Sequence, residues 1–450
     1  MEKKQIKING KITVEIKING GLFWKAGGPG PTEPNKLVYS TNAEGSTITV
    51  NGETVTLEQG DNITLDYPNE ITSVKATSNK ALTYIQIPNT VTEIESNAFS
   101  GCNKLASINI PDGVTMIGDW AFNGCKALGS ITLPDSLTSI SNGTFSSCTE
   151  LASINIPDGV TMIGDNAFSS CNKLASINIP ESVKSIGQGA FYNCTSLGSV
   201  TLPEGITTIK NNTFHGCSSL ASVNIPNTVT SIEDGGYGEG AFGKCTSLTS
   251  VTFPDSLTSI GSFAFNNCNK LTSINISESV KSIGNGAFIG CSSLVSVTLP
   301  NTMTMMGRAI FQDCTSLTSV TLPDTITNFD SVSIFDGCSS LTSVTLPDKM
   351  TIIGAAAFMY CTELASITIP ESVTSIEGSA FRGCNKLASI TIPSGVKSIN
   401  YRAFADCSKL SNFNFNGTMS QWASITKGNE WNLNSAFLVV HCTDGEVSIL

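Results

Sequence analysis

The stretch Leu151–Leu174, LASINIPDGVTMIGDNAFSSCNKL, decides the fold. Leu151, Ile154 and Ile156 give L-x-x-I-x-I, and the alternation Ile154-Asn155-Ile156 is a period-two strand with one apolar face. Pro157 ends it, because proline fixes φ and has no N–H to give a ladder. Asp158-Gly159 turns the chain, Val160 and Ile163 form a second short extended segment, and Gly164 turns it again. Ala167, Phe168 and Cys171 then fill a corner, which we expect to be one tight helical turn, and Leu174 begins the next copy.

The same unit recurs along most of the chain. Fourteen cysteines mark it: Cys102, Cys125, Cys148, Cys171, Cys194, Cys217, Cys245, Cys268, Cys291, Cys314, Cys338, Cys361, Cys384 and Cys407. The step is 23 residues, except 28 between Cys217 and Cys245 and 24 between Cys314 and Cys338. A fixed period of this size marks a solenoid, whose single unit cannot bury its apolar face without neighbours. The predicted fold is therefore a β-rich, right-handed solenoid of 14–15 turns, with parallel strands in a sheet about 70 Å long.

The fifteen cysteines do not read as a disulfide framework. Their number is odd, and they fall one per unit rather than in pairs. Stacked thiols would lie about 5 Å apart on parallel side chains, the wrong approach for a disulfide. They read as buried small hydrophobes beside the phenylalanines, as in Phe168 and Cys171, Phe191 and Cys194, and Phe288 and Cys291. With no Cys-x-x-Cys or Cys/His pair in the repeats, no metal or other cofactor is expected.

The recurring pattern L-x-x-I-x-[IL]-P-x-x-[VLIM]-x-x-[IMF]-x-x-x-[AT]-F-x-x-C-x-x-L resembles the BspA-like class of leucine-rich repeats over residues 81–410. Ser277 in place of proline, Ile310 in place of alanine, and one extra residue near Thr327–Ile334 are its departures. The resemblance implies a leucine-rich-repeat stack and a surface protein engaged in attachment.

Five regions follow: an arm over 1–25, a Gly/Pro linker over 26–36, a small β domain or N-terminal cap over 37–80, the solenoid over 81–410, and a cap over 411–450. In the arm, Ile6 and Ile8 alternate, then Ile12, Val14, Ile16 and Ile18, with Asn9-Gly10 as a hairpin turn. Strands are expected at Ser46–Val50, Thr54–Leu57 and Asn62–Leu65, with Asn51-Gly52 as a turn. The final segment carries Gly417-Thr418, Trp422, Ile425 and Trp431, again resembling the closing segment of this repeat class. Trp422 and Trp431 read as the seal of an otherwise open last turn.

Chemistry is sparse. His215 occupies a variable corner position and reads as solvated, and His441-Cys442 reads as an exposed strand end. No phosphate loop, dinucleotide fingerprint or nucleophile elbow is present, so the chain does not read as an enzyme. Net charge is -11 without a basic cluster, which argues against nucleic acid. The first residues lack the apolar run of a secretory signal, and no stretch is apolar enough for membrane insertion.

Binding candidates lie on the outward face of the first strand. One column is almost all serine, from Ser107 and Ser130 to Ser250. The other is Asn109, Thr132, Asn155, Asn178, Thr201, Asn224 and Thr252, then mostly threonine. Such columns keep a long sheet soluble, order water, or offer hydrogen bonds to a glycan or extended protein segment. Tyr237, in the insertion Glu233–Gly240, and Trp120 complete the set, as aromatic residues expected at the surface.

The leading reading is a non-catalytic recognition and adhesion scaffold, extracellular or surface-exposed, whose partner is a host or cell-surface protein or glycan. A second is a bacteriophage virion protein, tail-associated or receptor-binding, joined to a larger assembly through residues 1–35. An intracellular scaffold, suited to free thiols, is a third.

Overall fold

Most Ile-x-Ile-Pro segments form a strand of two to four residues, and the register of each with the next turn is one period. Ser130 pairs with Ser153 and Ile131 with Ile154, while Ser176–Asn178 pairs in parallel with Ser199–Thr201. The second apolar pair of each unit builds another parallel ladder, as in Ser139–Ile140, Met162–Ile163 and Ser185–Ile186. A one-period register places like residues on like, so every core position becomes a column.

The computed structural model describes residues 15–18, 21–25, 36–41, 47–50, 53–56, 63–66, 73–77, 84–87, 89–327 and 332–449. The chain divides into two units, Met1–Leu220 and Ala221–Leu450. Over the described residues it is a parallel β-solenoid of about 15 turns with almost no helix.

In the first unit, Phe99, Phe122, Phe145, Phe168, Phe191 and Phe214 form one stack with centroids 5.3–5.5 Å apart. In the second, Phe242, Phe265, Phe288, Phe311, Phe335, Phe358, Phe381 and Phe404 form another at 5.1–5.9 Å. All of these rings are buried. The two widest spacings, 5.9 and 5.8 Å, flank Phe311, where Ile310 brings more bulk than the usual alanine.

The corner is not a helical turn. Backbone N–H groups alternate in direction there. Asn166, Phe168 and Ser170 donate to Gln188, Ala190 and Tyr192 of the next turn at 2.7–2.8 Å, while Ser169 and Cys171 donate three residues back within their own turn. Asn166 and Ser170 take φ of 54° and 59°, left-handed values that re-aim every second peptide and prevent a helix. Side chains extend the ladder: Asp119, Asn142 and Asp165 each accept from a backbone N–H one turn on, at 2.7–2.9 Å.

Twelve of the thiols also work in this ladder. Cys125 Sγ donates to the Phe99 carbonyl of the preceding turn at 3.2 Å, and the pattern recurs through Cys407 with Phe381 at 3.1 Å. Cysteine is thus both a small hydrophobe and a weak donor.

At the N-terminal end, β1 (Glu15–Ile18) pairs antiparallel with β2 (Gly21–Lys25). After β3 (Lys36–Thr41), β4 (Thr47–Val50) pairs antiparallel with β5 (Glu53–Thr56), and β6 (Ile63–Asp66) pairs with the free edge of β1. Backbone pairing therefore crosses the compositional boundary drawn between 1–25 and 37–80. The turn read at Asn9-Gly10 and the linker up to residue 35 lie outside the described residues, and Lys36 belongs to β3. β7 (Ser73–Thr77) lies parallel between β3 and the strand Glu93–Ile94, which pairs in turn with Met116–Ile117. The N-terminal strands thus extend the second-strand ladder of the repeats.

The C-terminal end closes with α1 (Met419–Ser424), whose capping box joins Thr418 and Gln421. Trp422 and Trp431 are buried, with ring centroids 5.8 Å apart. Phe413 lies 5.6 Å from Trp431 and 4.6 Å from Phe437, so the cluster covers the last phenylalanine of the stack, Phe404. Val439–Cys442 and Gly445–Ser448 finish the sheet as an antiparallel pair.

Candidate functional site

The strand period sends alternate side chains outward, and the one-period register turns them into straight columns. In the first unit Ser107, Ser130, Ser153, Ser176 and Ser199 are exposed, as are Asn109, Thr132, Asn155, Asn178 and Thr201. In the second, Ser222, Ser250, Ser273, Ser296, Ser319 and Ser343 run beside Asn224, Thr252, Asn275, Thr298, Thr321 and Thr345, all exposed. Within a strand the two columns stand about 7 Å apart, and successive turns repeat them at about 4.8 Å.

Other hydroxyl columns are already engaged. Thr115, Thr161, Thr258, Thr351 and Thr374 each donate to a threonine carbonyl of the preceding turn at 2.9–3.3 Å, and Thr304 donates to the Lys281 carbonyl at 3.3 Å. Thr249, Thr318 and Thr342 also bond back to the backbone, at 3.0–3.2 Å. The paired Ser and Asn/Thr columns of the first strand make no side-chain hydrogen bond to another described residue. Their donors and acceptors all face solvent, and none is ionised.

Tyr237 is fully exposed at the tip of the insertion. Trp120 is not an exposed anchor. It is half-buried at φ 59°, and its ring lies flat over Gly143 of the next turn, where a Cβ would sit 2.2 Å from Trp120 Cε3. The space opened by a glycine draws the indole inward. His215 is likewise not solvated: it is 1% exposed and stacks on Tyr192 with ring centroids 5.3 Å apart. The stacking register that builds the Phe column also buries this histidine under its neighbour. His441 Nδ1 lies 3.0 Å from Glu446 Oε1 across the terminal strand pair. Among the described residues, no group of three His, Cys, Asp or Glu side chains could hold a metal ion, and no helix is long and apolar enough to cross a membrane.

The Asp336 carboxyl stands apart chemically. It is 8% exposed and faces Asp313 of the preceding turn. Burial first, and then the Asp313 charge, push it up to about 6. A carboxyl with a raised folded pKa holds its proton preferentially in the folded state. Stability is then lost as pH rises from the unfolded value, near 4, through about 6. Asp336→Asn should raise the melting temperature at pH 7 and leave it nearly unchanged below pH 4. The gain is on the order of 1 kcal/mol, because part of the carboxyl is solvated. Thermal melts of both proteins across this range check it.

This architecture is that of a leucine-rich-repeat protein, a β-solenoid scaffold in which each turn supplies one strand to a common outer face. The chain belongs to the BspA-type leucine-rich repeat family, whose model matches residues 70–195, 140–237, 236–334 and 331–438. A leucine-rich repeat protein from Bacteroides ovatus is 31% identical, covers 89% of this chain and 98% of its own, and superposes with a TM-score of 0.70. A leucine rich cell surface protein from Faecalibacterium prausnitzii is 28% identical over 86% of this chain and 95% of its own, with a TM-score of 0.43. A search of curated proteins finds no match. The family is one of repeat scaffolds, and no catalytic family is indicated.

Proposed function

We propose that the chain is a recognition scaffold at a cell surface, and that its paired Ser and Asn/Thr columns bind an extended protein segment or a glycan. One observation carries the reading. Among the described residues, these two uncharged columns combine exposure, straight register and side chains that make no hydrogen bond within the chain, whereas the neighbouring threonine columns serve the backbone. A neutral array of this kind binds weakly at each turn and gains affinity by repetition along the partner. The surface location rests on the family resemblance and on the F. prausnitzii relative described as a cell surface protein.

The test is a triple variant, Thr298→Lys, Thr321→Lys and Thr345→Lys, which places three like charges on adjacent turns. Binding of the purified chain to immobilised glycans, matrix proteins and whole cells should fall at least tenfold. Asp324→Lys with Asp348→Lys, on the post-proline edge, should leave it within about twofold. Equal binding by the triple variant removes the sheet face from the proposal. Retention by none of these surfaces removes the adhesion reading itself.

A further inference from the structure

The longest interruption of the repeat builds a second recognition element. Glu233–Gly240 adds five residues between Cys217 and Cys245. They do not form a loose loop. Gly236 and Glu239 pair as an antiparallel bridge, with Glu239 N–H donating to the Gly236 carbonyl at 3.0 Å. Tyr237 and Gly238 have φ of 54° and 81°, the two positive values of a type I′ turn. The hairpin is fastened to the following turn at three points. Asn266, 3% exposed, donates to the Gly238 carbonyl at 2.8 Å. Gly235 N–H donates to the Ser262 carbonyl at 2.8 Å, and Asp234 accepts from Ser262 N–H and Oγ at 2.7 and 2.8 Å.

Gly235 and Gly240 permit this fit, since a Cβ on either would stand 2.0–2.1 Å from backbone oxygen atoms.

On this fixed base Tyr237 projects wholly into solvent, with a relative exposure of 108%. Other aromatic residues with left-handed φ have a packing role. Trp120 covers Gly143, Phe263 lies against Gly286, and Tyr360 lies against Gly383. Tyr237 covers no residue, so the fold does not require its ring. Glycine would suit the turn better. The insertion also carries Glu233, Asp234 and Glu239 and no basic residue, in a chain of net charge -11.

We propose that the Glu233–Gly240 hairpin is a preorganised anchor for an arginine- or lysine-bearing segment of a partner protein. The cationic side chain stacks on the Tyr237 ring and the carboxylates favour its approach. A rigid aromatic residue on a fixed turn loses little conformational freedom on binding.

The experiment uses the full chain and a fluorescent nona-arginine peptide, read by anisotropy at physiological salt. Tyr237→Ala should weaken binding at least fivefold, although the charge is unchanged, and Tyr237→Phe should bind within twofold of the parent. Tyr237→Gly separates recognition from folding: it should raise the melting temperature and still lose binding. The Asp234→Asn variant should bind more weakly and lose part of the salt dependence. The Thr298/Thr321/Thr345 lysine variant adds positive charge elsewhere, so it is compared with itself carrying Tyr237→Ala. The same fivefold difference there shows that the hairpin acts independently of the sheet face. Equal peptide binding by the parent and Tyr237→Ala overturns the proposal, because the affinity is then general electrostatic attraction to an acidic chain.

Discussion

Under native conditions a thiol reagent should label one cysteine, Cys442, with the other fourteen reacting only as the fold opens. Those fourteen are buried, while Cys442 lies half-buried in the terminal strand pair. Burial pushes Cys194, Cys291 and Cys407 up to about 12, and a thiol at that value is about one part in ten thousand thiolate at pH 8. Reagent access is closed as well, so slow proton loss and exclusion act together. Cys442 is also pushed up, by burial and the Asp444 carboxylate, and should react more slowly than a free thiol. Counting released chromophore before and after denaturant reads the result directly. Rapid labelling of several thiols in the folded chain would overturn the buried column.

The solenoid was legible because its information is repeated. Ile154, Pro157, Phe168 and Cys171 recur at a nearly constant spacing, and that period stacks them. The cysteine column also read correctly as core, but its bond to the preceding phenylalanine carbonyl depends on backbone orientation between turns, which one unit does not display. The corner misled for a related reason. Ala-Phe-x-x-Cys has the spacing of a helical turn, whereas the left-handed residues before Ala and Cys, such as Asn166 and Ser170, divert alternate peptides to the next turn.

Trp120 and His215 failed as surface residues because burial here is decided one period away. Gly143 opens a space for the indole, and Tyr192 supplies a face for the imidazole. A reading confined to one unit misses both, although comparison of residues 23 apart could have found them. The exposed Ser and Asn/Thr columns were legible from strand alternation. That they differ from the Thr115, Thr161 and Thr318 columns was not, since all are exposed, uncharged hydrogen-bonding side chains and only the geometry shows which ones bond to the chain.

Phe288→Ala should be among the most damaging single substitutions in the second unit, lowering stability by about 3–5 kcal/mol. The ring is fully buried between Phe265 at 5.5 Å and Phe311 at 5.9 Å. Its removal leaves a cavity and two interrupted stacking contacts, each worth about 0.5–1.5 kcal/mol within that total. The backbone ladder survives, because alanine keeps both the N–H that bonds Ile310 and the carbonyl that accepts from Cys314. The variant therefore isolates the ring from the hydrogen bonds around it. In a quasi-one-dimensional stack the damage should be local, so amides in the turns of Phe265 and Phe311 should lose hydrogen-exchange protection before distant ones. Ser296→Ala, an exposed position on the following strand, should stay within about 0.5 kcal/mol of the parent. Denaturant unfolding of the three proteins distinguishes the outcomes. If Phe288→Ala unfolds with the parent, the ring column fills space without holding adjacent turns together, and the Cys–carbonyl and strand ladders must carry the stack alone.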